Sequence, residues 1–191
     1  MTPRRRFRRP YVPPPLDPAT FVRRIAAKAG TGYGIALTRH AFDIVAASGD
    51  PEPWMREVQR ARDEGVLDAG IAWFLIYKLV DQAMYVIAET DPELEELGRR
   101  VEEIERAHGL SEDESFFVGE GPPEWEEATR AWDAVHERRF AELFRRIGEE
   151  EMAEQHADAG LDPRFAAGRE AIFGPLEDLD LEDGLDDADD G

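Results

Sequence analysis

Two pairs of residues in this chain have the spacing of metal ligands on one helix face. Glu105 and His108 stand three apart, the Glu-x-x-His spacing of carboxylate di-metal bundles, and Asp133 and His136 repeat it with aspartate in place of glutamate. Both histidines fall on the apolar stripes of their segments, as inward-facing ligands do. The chain order speaks against an assembled centre. Such a bundle needs another carboxylate-bearing helix between its two motif helices, and residues 109–122 leave room only for a short turn. A core or capping histidine is the competing reading, and no cofactor is implied.

Other catalytic chemistry finds less support. Gly30, Gly32 and Gly34 resemble a phosphate-cradling loop, but a helical segment precedes them where a dinucleotide fingerprint needs a strand, and the spacing is G-x-G-x-G. A flexible helix connection accounts for them. The chain has no cysteine, which removes thiolate nucleophiles and Cys-type zinc sites. Ser48, Ser111 and Ser115 sit in turn or cap contexts without a nucleophile elbow, so nucleophilic catalysis would need the fold to bring a histidine such as His40 to one of them.

A less bland polar group lies on the most apolar segment. On a wheel of roughly 100° per residue, Lys78, Asp81, Gln82, Tyr85 and Glu89 share one arc, which Ile71, Phe74 and Leu75 fill one turn earlier. Facing water, the arc is an ordinary polar stripe. Covered, it forces Lys78 and Asp81 to pair at i,i+3 and to line a pocket.

The two ends suggest partners. Arg4, Arg5, Arg6, Arg8 and Arg9 interleave with Phe7 and Tyr11, a composition suited to phosphate contacts and base stacking, or to binding the chain's own tail. Leu176, Leu179, Leu181 and Leu185 alternate with nine carboxylates, the acidic-hydrophobic pattern of segments that dock on basic apolar grooves. A purely solubilising tail is the plain alternative. Of the net charge of −20, residues 11–175 alone carry −16, so the body itself repels nucleic acid and anionic membranes and favours a basic protein partner. The arginine-rich start lacks the apolar region of a secretory signal, and a cytoplasmic location is the simplest expectation.

Helices must position all of these groups. Asp-Pro occurs at 17–18, 50–51, 91–92 and 162–163, each before an apolar periodic run. Aspartate caps an orphan N–H while proline at the first helical position loses no needed donor, so four helix starts follow. The expected helices run from Pro18 to about Ala29, Tyr33 to Ala47, Pro51 to about Gly65, Asp68 to Glu89, Pro92 to about Ile104, Pro123 to near Ile147 and Pro163 to Phe173. Ser111 and Glu114 form a capping-box pattern that predicts one helical turn at residues 116–118. The apolar arc of the long helix is expected to end at about Gly148, beyond which it holds Glu150 and Glu154.

The fold class is therefore all-α, an irregular bundle of about six or seven helices around a central apolar helix at about 68–89. Residues 1–16 form an Arg/Pro-rich arm and residues 175–191 an acidic tail, both expected to be disordered, around a single domain at 17–174. Gly70 to Ala88 is long enough to span a bilayer, but Lys78 and Asp81 at its middle argue for burial in protein. The first functional expectation is a non-enzymatic interaction or regulatory module for a basic protein partner. The alternatives are a small-molecule or metal-binding helical enzyme on the central and long helices, and nucleic-acid binding through the arm. The 125–147 stripe suits packing on a second copy as well as within the monomer.

Overall fold

The computed structural model describes residues 16–175 apart from 112, 113, 118, 156 and 159. The arginines at 4, 5, 6, 8 and 9 and the leucines at 176, 179, 181 and 185 lie outside the described residues, as do the arm and tail that carry them. Among the described residues there are eight helices and no strand: α1 (Pro18–Lys28), α2 (Gly32–Ser48), α3 (Glu52–Asp63), α4 (Ala69–Thr90), α5 (Pro92–Ala107), α6 (Pro123–Arg146), α7 (Glu150–Glu154) and α8 (Pro163–Phe173).

The aspartates start helices as their chemistry dictates. Asp17 accepts the Thr20 N–H at 2.8 Å, Asp91 the Glu93 N–H at 2.9 Å, Asp162 the Arg164 N–H at 2.7 Å, and Asp68 the Gly70 N–H at 2.7 Å. Asp50 departs from this by one residue, because α3 begins at Glu52 with Pro51 in the cap position. Only Asp50 and Pro51 separate α3 from the left-handed Gly49 that ends α2, so Asp50 serves the turn.

Two local expectations are corrected. Phe116 and Phe117 are not helical, since the Ser111 hydroxyl donates to the Glu114 carboxylate at 2.7 Å and so closes a turn; Val118 lies outside the described residues. Packing also continues past Gly148, where α7 buries Met152 and Ala153. Gly148 has φ +81°, which swings the chain away from the α6 axis, so the arc extrapolated along α6 no longer describes the next helix.

α4 is the centre of the fold, packing against α2, α3 and α8 and, less extensively, against α5 and α6. Residues 72–76 are all buried, and Leu79, Val80, Ala83 and Met84 continue one inner face. By length and composition α4 would pass for a membrane span, and half of its most apolar window is buried inside the fold. α5 and α6 form an antiparallel pair, tied at one end by Arg139 to Asp91 at 2.8 Å and at the other by the Trp125 indole to Glu105 at 2.9 Å. Most of the apolar stripe of α6 is covered within the chain, with Trp132 half-buried: Phe140 and Phe144 pack on Tyr77 of α4, with ring centroids 5.5 and 6.5 Å away.

At the start of α8 the Arg164 guanidinium lies 3.6 Å over the Trp73 ring, donating to Asp162 at 2.7 Å and to Glu151 at 2.6 Å. These bonds hold both carboxyls below their ordinary values of 3.8 and 4.5. A depressed folded-state pKa contributes stability that is present above the unfolded value and lost as pH falls through the folded one. The thermal midpoint is therefore expected to fall from about pH 5 downward. Arg164→Gln should flatten that acid limb, and equal slopes in the two proteins would remove the clamp as its source.

Candidate functional site

The polar edge of α4 is neither fully wet nor fully covered. Lys78 and Asp81 pair across one turn with 29% of each side chain exposed, and Gln82 donates to the same carboxylate at 3.3 Å. Tyr85 (64% exposed) and Glu89 face water. From the sequence-derived arc, Lys78 lines a groove of about 360 Å³ between α2, α4 and α8. Phe74 of α4 forms the centre of its floor, with Phe42 of α2 at 6.4 Å and Phe165 and Phe173 of α8 at 5.0 and 5.8 Å between ring centroids. Arg39 and Arg169 stand beside these rings, and neither pairs with a described carboxylate.

The residues considered for metal chemistry lie along the α5–α6 pair, but its register separates them. Glu105 lies opposite Trp125, so Asp133 stands two turns further along α6, about 12 Å by helical rise. Glu105 accepts the Trp125 indole N–H and the Ser115 hydroxyl. His108 donates its Nδ1–H to the Ile104 carbonyl at 2.9 Å and lies edge-on to Phe116. His136 stacks on Trp132 with centroids 4.9 Å apart and planes at 18°. Among the described residues no group of three or more His, Asp or Glu side chains is gathered around a point that a metal ion would occupy.

The same face of the pair forms a different site. A groove of about 350 Å³ runs over Gly98, with the Trp125 and Trp132 rings and the Thr129 hydroxyl on α6 and the Glu102 and Asp133 carboxylates beside them. The Thr129 hydroxyl is buried and has no hydrogen-bond partner among the described residues. Through Glu102 this groove adjoins a larger hollow of about 550 Å³ at the C-terminal end of α5, lined by Glu105, Arg106, Leu110 and Ser111, where Arg106 stands 4.0 Å from the Glu102 carboxylate.

Glu105 holds this end of the site together. Glu105→Ala would leave the indole N–H of a tryptophan that is only 4% exposed without its acceptor. The expected cost is about 1–3 kcal/mol, with a loss of near-ultraviolet circular dichroism from Trp125 and faster proteolysis at residues 109–121. An unchanged spectrum and digestion pattern would count against that role.

No family model, curated protein or solved structure matches this chain. Sequence reasoning missed Arg39, Arg169 and the phenyl floor, although a signal was present: each contributing helix places a cation three or four residues from a phenylalanine, as in Arg39 and Phe42, Phe74 and Lys78, and Phe165, Arg169 and Phe173. Read one helix at a time, that pattern is an ordinary amphipathic border.

Proposed function

We propose that this chain is a non-enzymatic helical interaction or regulatory module, which holds a basic protein partner with its acidic surface and its acidic-leucine tail. The α5–α6 groove is the contact for a cationic side chain of that partner. The observation that carries this reading is the placement of the half-buried Trp132 indole beside Glu102 and Asp133. A lysine or arginine entering there gains an aromatic face and a carboxylate together, an arrangement worth about 0.5–2 kcal/mol from the ring alone. The charge of −20 supplies the longer-range attraction, which draws basic proteins in and weakens with salt.

Fluorescence anisotropy with a labelled lysine-rich amphipathic peptide tests the site. Trp132→Ala is expected to weaken binding by about two- to thirtyfold, the range that the ring energy implies, and Asp133→Asn by up to about fivefold, as for an exposed ion pair. Asp43→Asn, on the remote α2, is the charge control and should leave binding nearly unchanged. Equal losses from all three variants would reduce the interaction to unspecific attraction and sink the groove as its site.

A further inference from the structure

We propose that the groove between α2, α4 and α8 is the docking site of the chain's own acidic-leucine tail, residues 176–191, and that a basic partner must draw the tail out of it. The second half of that statement rests on the partner reading above; the first stands without it.

Charge makes the first part of the case. Acidic residues outnumber basic ones 43 to 23, yet Arg39 and Arg169 flank this groove with no described carboxylate on either. Lys78 is already matched by Asp81, so two cations remain open over a phenyl floor. Their complement is a segment that offers leucine and carboxylate in alternation. Residues 176–185 supply it, with Leu176, Leu179 and Leu181 set among Glu177, Asp178 and Asp180. The arginine-rich arm offers the tail more charge, but the described surface beside Arg39 and Arg169 adds apolar rings on which the leucines leave water.

Connectivity makes the second part. Phe173, in the groove wall, is the last residue of α8, and Phe165, Arg169 and Phe173 follow one another at four-residue spacing along its groove face. Gly174 then takes φ +83°, a conformation that glycine adopts and side-chain-bearing residues avoid, and reorients the chain where the tail departs. Sixteen residues reach about 50 Å when extended, far more than a return over three helical turns requires. Tethered this closely, the tail has an effective concentration in the millimolar range, so an intrinsic dissociation constant of about a millimolar would already fill half of the grooves.

The test uses the full chain, whose lack of cysteine allows one to be introduced at Ala188→Cys and labelled with a nitroxide. Signals of Phe42, Phe74 and Phe165 should lose at least half of their intensity relative to the reduced label, in a sample diluted with unlabelled, isotope-free protein. Arg39→Glu with Arg169→Glu, checked for folding by circular dichroism, should restore them. Changing Glu177, Asp178 and Asp180 to lysine in that background should broaden them again. Four results would overturn the proposal: no broadening, broadening confined to Arg4–Arg9, broadening that depends on a second copy carrying the label, or broadening that survives the double charge reversal.

Discussion

Gly168→Ala is expected to detach α8 from the rest of the protein. The residue sits where α8 crosses the first turn of α4, and a methyl group there would fall on the Gly70 carbonyl oxygen and within 2.8 Å of Phe74 Cβ. Neither obstacle is the free end of a flexible side chain, so the helices must separate. Separation also uncovers Ile172, which is fully buried, and loosens Phe165 and Phe173 from Phe74. Alanine improves helix propensity by about 1 kcal/mol, which offsets only part of the loss. The net cost should be about 2–3 kcal/mol, the upper end of what overpacking costs, or roughly 4–12 °C in Tm for a chain of this size. Gly98→Ala is the matched control. Its methyl group would meet only the Trp132 ring at 3.7 Å, ordinary contact, so propensity decides and Tm should stay level or rise by about 2–4 °C. Equal destabilisation by both changes would mean that the α4–α8 approach is looser than described.

The Gly70–Gly168 crossing also marks the boundary between what could be read from the sequence and what could not. Asp17, Asp91 and Asp162 were legible as helix starts because a cap is a local event, decided by an aspartate, a proline and the next three N–H groups. The inner face of α4 was legible because burial on several sides requires apolar residues at nearly every position. Where a second interaction competed locally, the local rule gave way. Ser111 donates to Glu114 and closes a turn, and Gly148 redirects the chain so that Met152 finds the core from an axis that a wheel drawn on α6 does not contain. The sites belong to a third kind of information. Arg39, Phe74 and Arg169 are far apart in the chain, and only the packing of α2 and α8 on α4 makes them one groove. The Glu-x-x-His spacing was visible for the same reason that it was insufficient: it specifies one face of one helix, while the α5–α6 register decides what stands opposite.

Leu75→Ala and Phe144→Ala should cost similar free energies and yet unfold different parts of the protein. Both side chains are fully buried, and truncation is expected to cost about 2–5 kcal/mol for Leu75 and 3–5 kcal/mol for Phe144. Leu75 belongs to the stretch of α4 that is buried on successive residues, so removing it weakens the element on which the other helices lean. Phe144 instead packs on Tyr77 across the α4–α6 contact, with Phe140 edge-on to it at 5.4 Å. The α5–α6 pair has extensive contact of its own and less with α4, which makes it a unit able to open by itself. Hydrogen exchange separates the two cases. In Phe144→Ala, amides in every helix should exchange faster, by about a hundredfold or more for a loss of 3 kcal/mol, because its contacts are lost in the partly open and the unfolded state alike. In Leu75→Ala, those of α1 to α4 and α8 should accelerate by a similar factor, while α5, α6 and α7, which open with Leu75 still buried, change far less. A uniform response to Leu75→Ala would make the fold one cooperative unit. A selective response would mean that the indole-lined acidic groove and the basic groove ride on separately opening parts, so that a partner stabilising α5–α6 could leave the tail's groove undisturbed.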